Sequence, residues 1–255
     1  RYKEGYGISM SGIDAAKEEG ITLIIALDCG IKAHKQVNYA AEKGIDFIIC
    51  DHHLPSKILP PAVAVLDPKR DDCDYPFKEL CGCGIGFKLI QAVQKHLNFS
   101  QEALTIYLDL VATAIAADIV PMEGENRTLT FLGLQQFQEN PRIGLQFFLK
   151  TLKKPIKVTD LVFVIAPRIN AAGRMDQGLS AVELLMSDNL ELALPKARSI
   201  DFFNTERRST DERITVEALQ QIVLNEETTC FSTVVFHPSW HKGVIGIVAS
   251  RLIET

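Results

Sequence analysis

Two short apolar runs, each followed at once by acidic residues, most constrain how this chain can fold. Residues 21–27 end at Asp28, and residues 47–50 end at the triplet Asp51-His52-His53. Both runs have the length of a strand and are rich in isoleucine, and residues 33–43 between them have the pattern of a helix. The pattern predicts a β-α-β unit whose strands are parallel neighbours joined by a right-handed crossover.

The carboxyl ends of parallel neighbouring strands lie side by side, and open α/β sheets bind ligands at that edge. Asp28 and the triplet Asp51-His52-His53 are therefore expected to share one crevice. Oxygen ligands favour magnesium or manganese, and imidazoles shift the preference towards manganese or zinc. Alternatively, the aspartate caps a helix and both histidines are ordinary surface residues, because short motifs often occur by chance. The presence of Asp28 one β-α-β unit earlier favours the metal site.

The composition is that of an ordinary globular protein, with 47% hydrophobic and 23% charged residues among 255. No apolar run is long enough to span a bilayer, so we expect no membrane association and, by default, a cytoplasmic location. The net charge of −5 argues against a protein that coats nucleic acid through bulk charge. A local basic groove beside an acidic metal site is still compatible with it.

The region after the triplet predicts a third strand at residues 62–66, a helix at 87–97 and a buried helix that reaches Ala116. Asp118 follows closely after the buried helix. A carboxylate at the end of a buried element is costly unless it is paired or bound to a metal, so Asp118 is a further candidate ligand. The alternative is that Asp118 caps the following turn.

Two smaller features have structural explanations. Three glycines between residues 82 and 86 precede the helix at 87–97, and they suit either an anion cradle or close backbone packing, which we favour. Pro141 is predicted at the first position of another helix.

The last third of the chain predicts a small-residue segment, a long helix and a strand. Residues 166–175 carry Arg168, Asn170 and Arg174 among small side chains, a setting that suits phosphate binding. The alternative is that an arginine pairs with the acidic crevice or with a helix end. Residues 189–223 have the mixed charge of a helix that bridges two domains, with a kink or a break at Pro195. Residues 230–236 predict a strand that opens a second domain.

Taken in order, these motifs resemble the DHH phosphoesterase superfamily, and within it the exonucleases that degrade single strands from 5′ to 3′. The triplet alone would indicate only the superfamily, whereas residues 166–174 and 240–246 are specific to the exonucleases. The motifs that carry the resemblance are Glu4-Gly5-Tyr6-Gly7, Leu27-Asp28-Cys29-Gly30, Asp51-His52-His53-Leu54-Pro55, Tyr75-Pro76-Phe77, residues 82–89, Ala117-Asp118-Ile119-Val120-Pro121, Gly124-Glu125-Asn126-Arg127, residues 167–175, Asn204 with Glu206-Arg207, and residues 240–251.

The resemblance implies an α/β fold in which a parallel sheet with flanking helices is followed by a long connecting helix and the start of a smaller second α/β domain. The implied ranges are 1–187 for the DHH domain, 188–225 for the connecting helix and 226–255 for the beginning of a DHHA1-type domain that grips the substrate. The family's first motif, Asp-x-Asp-x-Asp-Gly, is expected before Arg1, and its gripping motif after Thr255. Residues 1–255 alone are therefore expected to be inactive and to hold at most one weakly bound ion.

The resemblance also implies a function. The full-length enzyme would hydrolyse single-stranded DNA with two manganese (or magnesium) ions and release 5′-mononucleotides, in DNA repair and recombination. Its partners would be single-stranded DNA, a single-strand-binding protein and a helicase.

Site residues follow from the same resemblance. Asp28 would bridge the two ions, and His52 and Asp118 would complete the ligands of the second ion. Asp51 and His53 would be catalytic, with His53 in contact with the phosphate or a metal. The phosphate path would be lined by Arg168, Asn170 and Arg174.

Two alternative functions stay open. One is a phosphodiesterase of the same superfamily that acts on oligonucleotides or cyclic dinucleotides. The other is an inactive scaffold protein of replication with the DHH fold. Such scaffolds typically lose metal ligands, whereas Asp28, His52, His53 and Asp118 are all present.

Overall fold

The computed structural model describes residues 6–152, 155–175 and 178–254. Glu4 and Gly5 of the Glu4-Gly5-Tyr6-Gly7 motif lie outside the described residues. The chain forms two compact units. The sheet unit comprises Arg1–Arg142 and Leu152–Ala166, and the long-helix unit comprises Ile143–Thr151 and Pro167–Thr255. Among the described residues, no helix has both the length and the hydropathy needed to cross a membrane.

Three parallel strands form the sheet, in the order β1-β2-β3. Their bounds are Leu23–Leu27 (β1), Asp46–Cys50 (β2) and Ala64–Leu66 (β3). The α-helices are Met10–Glu18 (α1), His34–Glu42 (α2), Gly82–Leu97 (α3), Leu108–Asp118 (α4), Gly124–Glu139 (α5), Ile143–Leu149 (α6), Val158–Asp160 (α7), Ala166–Met175 (α8), Leu179–Leu185 (α9), Leu190–Leu224 (α10) and Ile245–Ile253 (α11). A 3-10 helix at Gln101–Tyr107 leads into α4, and a π-helical turn at Leu161–Ile165 joins α7 to α8.

Alternation of side chains along β2 divides the core of the sheet unit into two layers. Phe47 and Ile49 belong to a cluster that includes residues of α1 and α2. Ile48 and Cys50 belong to a cluster that includes residues of α3 and α4. Because successive side chains of a strand point to opposite faces, the sheet lies between two helical layers. The predicted fold class, a parallel sheet with flanking helices, is thereby confirmed.

Helices α4 and α5 approach closely because a glycine lies at their contact. A methyl group added at Gly133 of α5 would lie 2.3 Å from the carbonyl oxygen of Leu108 and 2.4 Å from Cβ of Ala112. Both partners belong to α4, so only glycine allows this separation of the two backbones. The contact fixes α4, the helix that ends at Asp118.

The long-helix unit is organised by α10, which runs for 35 residues without a break. Pro195 lies inside it, so of the expected kink or break at this position the break is wrong. Proline is tolerated because it is the sixth residue of the helix and removes only one hydrogen bond near the first turn. Further along, Ile214 and Ala218 of α10 pack with Val244 and Val248 in a small buried cluster.

Two other sequence predictions are corrected by the structure. Residues 230–236 form no strand, and Phe231, Val234 and Phe236 are exposed. A strand needs a hydrogen-bonding neighbour, and none of the described segments pairs with this one. Pro141 precedes α6 by two residues instead of occupying its first position.

Gly133→Ala should destabilise the chain by about 1–3 kcal/mol, because the added methyl group overpacks the contact between α4 and α5. Gly173→Ala is the matched control. Gly173 lies inside α8, and apart from the backbone of that helix its methyl group would meet no atom within 4 Å. Alanine is the better helix former by about 1 kcal/mol, so the control should be neutral or stabilising. Urea unfolding of both variants measures the difference, and equal midpoints would contradict the close-contact explanation.

Candidate metal centre

The register of the sheet places three aspartates at one edge. Leu27 of β1 pairs with Cys50 of β2, which in turn pairs with Leu66 of β3. The next residue after each strand is an aspartate, namely Asp28, Asp51 and Asp67. The backbone amide of Asp28 donates to Cys50 O at 2.8 Å, and that of Asp51 donates to Leu66 O at 3.0 Å. The ladder therefore continues through the acidic positions and holds them side by side.

His52 is the point where the predicted ligands meet. Its Nε2 lies 3.1 Å from Oδ1 of Asp28 and 3.3 Å from Oδ2 of Asp118. Asp28, His52 and His53 also offer one ligand atom each within 4.8 Å of one another. The structure thus brings together Asp28, His52 and Asp118, as the positions of their strands and helix predict.

These side chains fit a divalent cation. His52 is buried, and neither of its ring nitrogens has a partner with hydrogen-bond geometry, despite the short distances to two carboxylate oxygens. The contact with Asp28 raises the pKa of His52, although burial acts in the opposite direction, and the charge of Asp118 adds to the increase. The two carboxylates favour a positive charge at this point, and a bound cation would supply it while the imidazole acts as a neutral ligand. Oxygen-rich sites of this kind suit manganese and magnesium.

The buried carboxylate of Asp51 fixes the triplet through hydrogen bonds. Its carboxylate is almost fully buried, and it accepts hydrogen bonds from the amides of Ile31 at 2.9 Å and His52 at 2.8 Å. Nδ1 of His53 lies 2.7 Å from Asp51 Oδ1. Burial opposes ionisation of Asp51, but the hydrogen bonds from His53, Ile31 and His52 together lower its pKa. Because an ionised carboxylate can only accept, Nδ1 of His53 carries the proton and Nε2 is left for another contact.

Gly82 explains why the glycine-rich segment follows the acidic crevice. A Cβ at Gly82 would lie 2.2 Å from Oδ1 of Asp28 and 2.6 Å from its Cα. Gly82 is the first residue of α3, so the glycines belong to the helix itself and allow it to start against Asp28. The packing interpretation of these glycines accounts for this geometry. Asp28 has φ of 63°, a left-handed conformation that aspartate tolerates better than most residues.

Asp67 is an acidic residue of this edge that sequence reasoning did not single out. It is 3% exposed, and its Oδ1 accepts from the amide of Lys69 at 2.8 Å, whereas Oδ2 is buried without a partner. Burial raises the pKa of Asp67, and the charge of Asp51 adds to the increase. The signal that could have found it is the recurrence of aspartate after each of three successive strands.

The three residues predicted on the phosphate path lie on α8. Arg168 pairs with Asp201 at 2.7 Å and lies over the ring of Phe148, 5.6 Å from its centroid. Asn170 is exposed, and Nη1 of Arg174 donates to Gly243 O at 3.2 Å. Arg168 thus has an ion pair, although its partner lies on α10 and is not one of the acidic residues of the crevice that the alternative interpretation named.

A group of charged residues on α10 and α11 was not predicted. Asp211 is fully buried and lies 2.9 Å from Nη2 of Arg251. Burial lowers the pKa of Arg207, and although Asp211 acts in the opposite direction, the charges of Arg174 and Arg251 lower it further. The charges of two other arginines therefore act on Arg207, near the buried carboxylate of Asp211. Their sequence signal was hidden in the mixed charge of a long helix.

Asp67→Asn should stabilise the metal-free chain at neutral pH. The folded state raises the pKa of Asp67 above its unfolded value, so ionisation of this buried group costs stability at pH 7. That cost disappears as the pH falls through the folded pKa, and the advantage of the variant should shrink with it. Melting temperatures between pH 7 and pH 4, with a chelator present, measure this effect.

Asp72→Asn serves as the control for this measurement. Its hydrogen bond with Arg70 lowers the pKa of Asp72, so this substitution should not raise the melting temperature at neutral pH. An Asp67→Asn variant that is less stable than the parent at pH 7 would contradict the prediction.

Residues 4–115 match the family model described as the DHH family, N-terminal domain. The whole chain is 37% identical over 270 residues to the single-stranded-DNA-specific exonuclease RecJ of Salmonella typhimurium and covers 47% of that protein. It is 39% identical over 257 residues to the Bacillus subtilis protein of the same name and covers 32% of it. The chain therefore spans less than half the length of these two curated relatives.

A solved structure shares the fold. The crystal structure of RecJ from Thermus thermophilus in complex with Mn2+ matches 97% of this chain and 37% of the solved chain, with a TM-score of 0.86 and 31% identity. The similarity to this structure, in sequence and in fold, extends over both compact units. Residues 4–115 are therefore similar to the DHH family, and the chain as a whole is similar in sequence and fold to the RecJ exonucleases.

Proposed function

We propose that this chain forms part of a metal-dependent exonuclease that degrades single-stranded DNA from 5′ to 3′ and releases 5′-mononucleotides. The observation that carries the proposal is the meeting of Asp28 and Asp118 at Nε2 of the buried His52. The relatives named as single-stranded-DNA-specific exonucleases support the substrate. Because the chain covers less than half of either relative, the activity belongs to the full-length protein.

We propose that Asp28, His52 and Asp118 would hold manganese or magnesium. Such ions, when bound, lower the pKa of a water molecule and stabilise the charge that develops at phosphorus. The protein contributes a fixed imidazole, because burial of His52 leaves its ring little freedom. Asp28 is the most exposed of the three ligands, which suits a residue that faces the substrate.

His53 is proposed to act at the phosphate, and Asp51 to position it. Asp51 Oδ1 fixes the Nδ1 proton of His53, so the half-exposed ring presents Nε2 to the crevice. Asp51 itself is 1% exposed and is fully engaged by its neighbours. Its buried carboxylate suits a positioning role better than the catalytic role expected from the family resemblance.

Phosphate groups of the strand are proposed to contact Arg174. The charges of Arg174 and Arg251 both lower the pKa of Arg207, and the buried carboxylate of Asp211 pairs with Arg251. Arginine suits phosphate because its planar group donates two parallel hydrogen bonds. Asn170 is an exposed neighbour on the same helix, whereas Arg168 is already paired with Asp201.

The proposed setting is bacterial DNA repair and recombination in the cytoplasm. A single-strand-binding protein and a helicase are proposed as partners, since an exonuclease of this kind requires exposed single strands. The retained ligands Asp28, His52, His53 and Asp118 disfavour an inactive scaffold. A phosphodiesterase for cyclic dinucleotides is tested by offering such substrates beside single-stranded DNA.

Asp28→Asn in the full-length protein should weaken manganese binding and nearly abolish mononucleotide release. Loss of a ligand is expected to cost more than the roughly 10- to 100-fold typical when only a residue behind a ligand is removed. Calorimetric titration with Mn2+ and an assay on a 5′-phosphorylated single strand measure both effects.

Asp46→Asn is the matched control for Asp28→Asn. Asp46 begins β2, the strand that ends beside the triplet, and is exposed at the opposite edge of the sheet. It should bind manganese and release nucleotides as the parent does. The metal centre is refuted if the parent and Asp28→Asn bind manganese equally.

Arg174→Ala should weaken binding of single-stranded DNA and reduce its salt dependence, with the slope falling by about 0.7 for each phosphate that the variant no longer neutralises. Arg213→Ala is the control, because it removes an equal charge that is exposed and paired with Glu217 at 2.7 Å. Fluorescence titrations at several salt concentrations give both slopes. If the two variants have the same slope as the parent, Arg174 does not contact phosphate.

A further inference from the structure

Asn126 connects two segments that lead to the metal centre. It is fully buried at the third position of α5, and its Nδ2 donates to Glu79 O at 2.6 Å and to Pro121 O at 3.0 Å. A residue that caps a helix accepts hydrogen bonds from amides of its first turn. Asn126 instead donates to two carbonyl groups outside its helix, so capping does not explain it.

Pro121 lies three residues after Asp118, the last residue of α4. Between them, Ile119 turns the chain in a left-handed conformation with φ of 56°, and its side chain is 85% exposed. Apolar packing therefore holds this turn only weakly at Ile119. The hydrogen bond from Asn126 supplies a fixed attachment directly behind Asp118.

Glu79 lies three residues before Gly82, the glycine against which Asp28 rests. The same amide group of Asn126 therefore reaches the segments behind both carboxylates that approach His52. The neighbouring Glu125 reinforces the connection, because it accepts from Tyr75 Oη at 2.7 Å and pairs with Lys88 of α3.

We propose that Asn126 is a positioning residue of the metal centre, which sets the separation of Asp28 and Asp118 through these two carbonyl groups. The proposal rests on the proposed metal site. Oδ1 of Asn126 is buried without a partner, which costs free energy and makes this amide a poor choice for stability alone. The two donated hydrogen bonds are what an asparagine provides here and an apolar residue of similar size does not.

The test compares Asn126→Ala and Asn126→Asp with Thr130→Val in the full-length protein. Thr130 lies one turn further along α5, and it too is buried with an oxygen that has no partner. The aspartate variant keeps the size of the side chain but cannot donate to the two carbonyl groups. Mn2+ affinity by calorimetry and the Mn2+ electron paramagnetic resonance spectrum are measured below the melting temperature of every variant.

Both variants of Asn126 should bind Mn2+ about 10- to 100-fold more weakly, with an altered spectrum, as is typical when a residue behind a ligand is lost. Thr130→Val should keep the affinity and spectrum of the parent. A merely structural role would lower melting temperatures and leave affinity and spectrum unchanged, which would overturn the proposal. A parent that binds no Mn2+ would instead overturn the metal site itself.

If neither variant of Asn126 folds, the unchanged protein still decides the matter. The side-chain amide protons of Asn126 should exchange slowly with water, and their nuclear magnetic resonance signals should shift when Mg2+ is added. Signals that do not respond to saturating Mg2+ would overturn the positioning role.

Discussion

The carboxylate of Asp51 joins the two turns that carry the acidic and imidazole groups. Burial of an ionised carboxylate is costly unless hydrogen bonds and charges compensate it. Here one oxygen accepts from Ile31, in the turn after Asp28, and the other accepts from His52 and faces His53. Loss of this carboxylate would therefore release both turns together. The parallel register of β1 and β2 brings the turns near, and Asp51 fixes them at hydrogen-bond distance.

The helical side of the centre depends on close backbone contacts. Gly82 lets α3 begin against Asp28, and Gly133 lets α5 press on α4, which ends at Asp118. Both are contacts that a single methyl group would disturb, so the positions of the candidate ligands depend on glycines that have no side chain. Asn126 adds a polar connection, because its side chain donates to Glu79 O, just before α3, and to Pro121 O, just after α4. Tightly packed elements of this kind hold a site more accurately than loops do.

Local pattern and chain order were sufficient to predict β1, α2 and β2 and the meeting of Asp28 with His52, because parallel neighbours leave little choice of geometry. They were also sufficient for Asp118, since a long buried helix can end only at an edge of the core. Asp67 was missed although its strand was predicted, because an aspartate followed by Pro68 is also typical of a turn. The strand expected at residues 230–236 failed because pairing depends on distant segments that a local pattern does not contain.

Although the net charge is −5, each of the two units has its own way of attracting an anion. In the sheet unit, Asp28 and Asp118 would repel a phosphate until a cation lies between them, so attraction there depends on metal loading. In the long-helix unit, Arg174, Arg207 and Arg251 carry guanidinium groups, whose attraction for an anion needs no metal. Attraction there is permanent. The two units therefore differ in how their attraction for an anion arises, because it depends on a cation in the sheet unit and on fixed arginines in the long-helix unit.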